Sequence, residues 1–137
     1  MHELKVYLCL VPIIFVIDYL WLGNIMSNFY LKELGSMARE KNGAFAPVIW
    51  AAVLVYALIP LGIVLFVLPG LPIENFFLPT LGKGFLFGIV LYGVYDMTNY
   101  SLVNNWSLKL SAVDIVWGGS LNAMGSLAGK YLDNWIS

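Results

Sequence analysis

Four apolar stretches decide what this chain can fold into. They cover about residues 4–24, 46–68, 82–103 and 108–131, and each has the roughly 20 residues a helix needs to cross a bilayer. Backbone polar groups in hydrocarbon must be satisfied within their own segment, so all four are expected to be helices. The alternating pattern of a membrane strand is not there. Composition agrees: 11% of the 137 residues are charged, against about 25% in soluble domains. We expect an all-α integral membrane protein, a single domain over residues 1–137 built as a four-transmembrane-helix bundle in a lipid bilayer.

The same composition excludes several function classes. A net charge of −1 gives no basic surface for nucleic acid. One His (His2) and one Cys (Cys9) supply neither an internal disulfide nor a zinc set, and no metal or cofactor is expected. No Ser–His–Asp set, phosphate loop or dinucleotide fingerprint is present. The N-terminal run carries Asp18 where a cleaved signal would end in small residues, so it reads as a retained first span.

The connections differ in character. Between the first two spans, "SNFYLKELGSMAREKNG" is long and polar. Its Met26, Phe29, Tyr30, Leu34 and Met37 recur at helical spacing opposite Lys32, Arg39 and Lys41, which predicts an interfacial helix or an extension of the first span. The next, "PGLPIENFFLP", holds three prolines and is expected to stop any helix. "NNWS" reads as a tight turn, making the third and fourth spans antiparallel neighbours. Lys32, Arg39, Lys41 and Lys109 fall on one side, Lys5, Lys83 and Lys130 on the other. The positive-inside rule then puts the long loop in the cytoplasm and both termini outside.

Each of three spans carries one aspartate. Asp18 lies 13 residues after Lys5, and Asp96 lies 13 after Lys83, so both are roughly 20 Å along their helices. Asp114 lies five residues after Lys109 on a helix running back, roughly 8 Å in. All three should share one layer near the long-loop surface. Asp18 and Asp114 also open a repeated pattern, Asp-x-x-Trp-x-Gly, as "DYLWLG" and "DIVWGG". Gly84, Gly88, Tyr92, Tyr95, Asp96 and Asn99 share one face of the third span; Asp114, Gly118, Asn122, Gly125 and Gly129 share one face of the fourth. Small residues let the backbones approach, and polar ones converge above them.

A carboxylate inside a membrane is costly and is by default functional, with a partner. No buried Lys or Arg is expected within the spans as counter-ion, and three close carboxylates cannot all ionise. One reading is an acidic, aromatic-walled pocket for a small amphipathic or lipid-like molecule. Tyr92, Tyr95, Asn99 and Asn122 would hold its polar head while Trp21 and Trp117 pack its body. An enzymatic version makes Asp96 and Asp114 an acid–base pair with Asp18 and Asn99 orienting. A rival is proton- or cation-coupled transport through the same acids. It needs a route onward, and the far halves of the spans offer mostly Gly, Leu and Val with Asn122 midway. A third reading is structural: the acids pin helix order within a membrane complex. Length leaves monomer and homodimer both open.

"DYLWLG", "FYLKELG" and above all "YDMTNYSLVNNWSLKLSAVDIVWG" resemble a family of small bacterial membrane proteins, domain of unknown function 2177. The likeness covers nearly the whole chain. Its sharpest part is Tyr95-Asp96-x-Thr98-Asn99, then Trp106 and Asp114-x-x-Trp117-Gly118. In the family pattern a lysine and a proline often flank that tryptophan, where this chain has Asn104 and Ser107. The resemblance implies a multi-pass protein of the bacterial cytoplasmic (inner) membrane, and it implies no reaction.

Overall fold

In a computed structural model describing residues 1–137, every one of the four apolar stretches is helical. Helix α1 (His2–Leu20) runs into a π turn over Trp21–Ile25, and α3 (Ile49–Gly62) runs into another over Ile63–Val67. Helices α4 (Phe77–Leu102) and α5 (Leu108–Ile136) form an antiparallel hairpin closed by residues 103–107. Between α1 and α3 lie α2 (Ser27–Leu34) and a minimal hairpin of β1 (Glu40–Lys41) and β2 (Ala44–Phe45).

Three segments are long and apolar enough to cross a membrane: His2–Ile25, Ile49–Val67 and Phe77–Leu102. Helix α5, expected as a fourth span, is the longest helix at 29 residues but falls outside that class. Its sequence explains the difference, since Asp114, Asn122 and a run of Gly and Ser dilute the apolar residues. It is also the helix the others surround. Gly125 meets Ile14 of α1 and Ile63 beyond α3, and Gly118 and Gly119 meet Tyr92 and Phe85 of α4.

The molecule is apolar outside, and its interior holds polar side chains beside an apolar core of residues such as Leu10, Ile14, Ile63 and Leu121. Leu8, Phe66, Leu78, Leu86 and Val94 are exposed, whereas Asp18, Thr80, Asp96, Asn122, Ser126 and Lys130 are buried. A soluble monomer does not present so much apolar surface; a bilayer is the solvent that suits it.

Two local expectations need correction. Pro79 does not stop a helix: α4 starts at Phe77, earlier than the expected residue 82, with Pro79 in its first turn. There a missing N–H costs nothing, because first-turn donors have no intrahelical partner. The long loop is α-helical only to Leu34, with one 3-10 turn following at Gly35–Met37. Gly35 then takes a positive φ of 56°, and Asn42-Gly43 turn the β-hairpin with φ of 54° and 77°. Asn-Gly is the residue pair that such a turn demands.

Ser107 caps α5 by accepting the Leu110 N–H at 3.0 Å and donates to Glu33 Oε2 of α2 at 2.6 Å. One hydroxyl thus starts a helix and ties the loop down onto it. Ser107→Ala should cost about 1 kcal/mol through the lost cap and loosen α2. Faster amide exchange over residues 27–34 would show it, and unchanged exchange there would mean α2 is held by other contacts.

Candidate functional site

The repeated Asp-x-x-Trp pattern is a reciprocal brace between two antiparallel helices. Asp18 of α1 accepts from Trp117 Nε1 of α5 at 2.9 Å, and its other oxygen accepts from Tyr56 of α3 at 2.7 Å. In the other direction Trp21 Nε1 donates to the Tyr30 hydroxyl at 3.2 Å, and Tyr30 donates to Asp114 at 2.9 Å. The two indoles stack, with centroids 4.3 Å apart and planes 4° from parallel. Each acid is held, directly or through one tyrosine, by the tryptophan of the other motif. A spacing of three puts Asp and Trp on one helix face, one turn apart, as such a brace requires.

Tyr30 reaches this layer from α2, so the interfacial helix closes over the acids rather than lying apart from them. Burial, then the neighbouring Asp114 carboxylate, push the Tyr30 phenol above the ordinary tyrosine range, which keeps it a donor. Lys109 adds a further tie, its ammonium 5.7 Å from the Phe29 ring centroid.

The indole pair should couple energetically. A double-mutant cycle of Trp21→Leu and Trp117→Leu on thermal stability in detergent is expected to give a coupling of about 1 kcal/mol. Additive losses would mean that the stack contributes only by area.

Asp96 differs from its companions. It is fully buried beside the Asp114 carboxyl, and no hydroxyl, indole or N–H donor reaches either of its oxygens. Its position follows from close packing of α4 on α5. A Cβ on Gly88 would stand 2.0 Å from the Gly118 carbonyl oxygen, and one on Gly118 would stand 2.1 Å from Tyr92. Those glycines bring the two backbones together one turn below Asp114 and two turns below Asp96, and the helix carries Asp96 inward above them.

The expected site residues therefore separate. Asp18, Asp96 and Asp114 do share one layer, with the Tyr92 side chain next to Asp18 and Asp114. Asn99 is half-buried beyond Asp96. Tyr95 is not part of the cluster: it is 57% exposed and packs edge-on against Trp106 at 6.0 Å. Residue 95 lies 100° around the helix from Asp96, enough to turn it outward. Asn122 lies two turns below the acids, where its Nδ2 donates to the Gly118 carbonyl at 2.8 Å.

The single acidic, aromatic-walled pocket is not what the chain forms. An open groove of about 520 Å³ runs along Trp21, Ala112, Val113, Val116, Trp117 and Ser120. The carboxylates lie behind the indoles, inside the bundle, and do not line it.

Several site residues were not singled out from sequence. Tyr30, the donor to Asp114, was read only as an interfacial aromatic, and Tyr56, the donor to Asp18, was not among the site residues. Lys130, counted as a flanking charge, is 5% exposed and bonds Asp133 at 3.1 Å, which in turn meets His2 at 2.7 Å. A buried cation is thus present, at the opposite end from the acid layer. Lys130 and Asp133 stand three apart on one helix, a legible ion-pair spacing; the partnership with His2, from the other terminus, is not readable locally.

A family model described as "Predicted membrane protein (DUF2177)" matches residues 3–131. No curated protein and no solved structure matches the chain.

Proposed function

Since this chain belongs to the domain of unknown function 2177 family of predicted membrane proteins, we propose that it works within a bilayer as a four-span protein with Asp96 and Asp114 as its working pair. The pair accepts one positive charge. The charge arrives as a proton, or as the ammonium head of a small amphipathic molecule; both bring the donor that a buried carboxyl pair lacks. Acid–base chemistry on a bound head would use the same two groups, with Asp18 as a positioning residue through Trp117 and Tyr56.

One observation carries this reading: Asp96 is buried with no hydroxyl, indole or N–H donor on either oxygen and with the Asp114 carboxyl as its hydrogen-bonding neighbour, while every donor side chain that reaches the acid layer goes to Asp18 or Asp114. Leaving a buried acceptor unmade costs about 1–3 kcal/mol, and a membrane acid without a structural partner is by default a functional one. The bracing of Asp18 and Asp114 fits the structural reading for those two residues, and it leaves Asp96 unexplained. The site lies toward the long loop, which the distribution of Lys and Arg assigns to the cytoplasm, with the termini outside the bacterial inner membrane.

The test uses the full chain purified in mild detergent, native and Asp96→Asn, by native mass spectrometry, organic extraction and infrared spectroscopy. An amine-bearing molecule retained only by the native chain identifies a cationic head. A protonated-carboxyl band lost only in Asp96→Asn identifies a proton. Neither difference would overturn the reading.

A further inference from the structure

The buried side-chain oxygens without a partner are not scattered. They are Asp96 Oδ1 and Oδ2, Asn122 Oδ1 and Ser126 Oγ, and all belong to the seam where α4 lies on α5. Gly84 of α4 marks the lower part: a Cβ there would stand 2.6 Å from Ser126 Oγ and 2.7 Å from the Asn122 carbonyl oxygen. On α5, Asn122, Ser126 and Lys130 recur every fourth residue, so they line one face about 6 Å apart. Lys130 hands on to Asp133 and His2, whose side chains are 29% and 35% exposed. Polar groups thus run from the acid layer down the seam to the opposite surface.

Close packing alone does not ask for these atoms. Alanine at 126 would let α4 approach as closely as serine does and would bury no unmade hydroxyl. Each orphaned oxygen costs about 1–3 kcal/mol, and within hydrocarbon no outside solvent relieves it. Three residues bearing that cost in one line, between two charged clusters, have a common explanation.

We propose that the α4–α5 seam is a proton path joining the Asp96–Asp114 pair to the Lys130–Asp133–His2 cluster. The inference rests on the proton form of the function proposed above. A proton taken from water at the loop end protonates a carboxylate of the pair. It passes along water hydrogen-bonded to Asn122 Oδ1 and Ser126 Oγ, and leaves through Asp133 and His2 to water beyond. Only O–H and N–H bonds form and break, nothing is oxidised or reduced, and a pH gradient drives the transfer. The path is shut where Gly88 meets Gly118, between the acids and Asn122. Conduction therefore needs α4 to lift from α5 at that point, which makes the contact a gate.

The experiment reconstitutes the full chain in liposomes holding a pH-sensitive dye, with the membrane potential clamped by valinomycin. Proton flux above protein-free liposomes is expected from the native chain. Asp96→Asn should abolish it, and Ser126→Ala combined with Asn122→Leu should reduce it at least tenfold. Ser126→Ala alone should also reduce it, and it removes no hydrogen bond, so loss of fold does not cloud that arm. Native flux equal to protein-free liposomes overturns the path, as does native-like flux through either seam variant. The infrared band of Asp96 is read in the same samples. A band lost in Asp96→Asn but kept in silent liposomes sinks the path alone; absence of the band together with absence of a bound amine sinks the underlying function.

Discussion

Gly88→Ala should part α4 from α5, and it is the most damaging small substitution expected in the bundle. The added methyl would stand 2.0 Å from the Gly118 carbonyl oxygen and 2.8 Å from Gly119 Cα. Both obstacles are backbone, so no rotamer change relieves them. Overpacking where neighbours can adjust costs about 1–3 kcal/mol; here the helices must separate, and a loss of about 3 kcal/mol or more is expected. Separation would also undo the burial of Asp96 and the fit of Tyr92 over Gly118. Gly93→Ala on the same helix is the control, because nothing lies within 4 Å of its added Cβ. Alanine is the better helix former by about 1 kcal/mol, so Gly93→Ala should be neutral or stabilising. Thermal stability in detergent, followed by the monodisperse fraction on a sizing column, compares the two. Equal stability of the pair would mean that the seam is looser than the geometry says.

Much of this architecture was legible because membrane helices obey few rules. Apolar length located the four helical segments, and rise per residue put Asp18, Asp96 and Asp114 in one layer. Both arguments are local; the four segments are helical, and Asp18 and Asp96 both neighbour Asp114. Partners across helices were harder to read. Asp-x-x-Trp announces a shared face, but nothing in either copy says that the tryptophan of one serves the acid of the other. That depends on the depth at which antiparallel helices meet. Tyr30 was assigned to an interfacial helix from its spacing, and only the fold of α2 over the bundle turns it toward Asp114. The shape of the space beside the indoles was not legible for a related reason. Residue types can place acids and indoles at one depth, but whether indoles open a space or fill it depends on their stacking. Ser126 and Lys130 were overlooked because each is unremarkable alone; their burial in one seam carries the meaning.

Asp18→Ala and Asp96→Ala should move stability very differently, although both remove a buried aspartate from one layer. Asp18 satisfies two donors, Tyr56 Oη and Trp117 Nε1. Its loss strands both, at about 1–3 kcal/mol each, and frees the Trp117 indole that stacks on Trp21. A loss of about 2–6 kcal/mol is expected, enough to deplete the folded protein. Asp96 satisfies no donor, so its removal strands nothing. The change leaves a small cavity, offset by the end of an unpaired carboxyl; the net should lie within about 1 kcal/mol of zero. Asp96→Asn should do at least as well, because it keeps the volume and lets an amide donate toward Asp114 without a bound proton. A residue whose replacement stabilises the fold while ending proton or ligand binding is kept for activity, since function is where proteins tolerate such a cost. Melting temperatures of the three variants decide the matter. If Asp96→Asn melts well below the native chain, Asp96 is a structural brace like Asp18, and the working pair loses its basis.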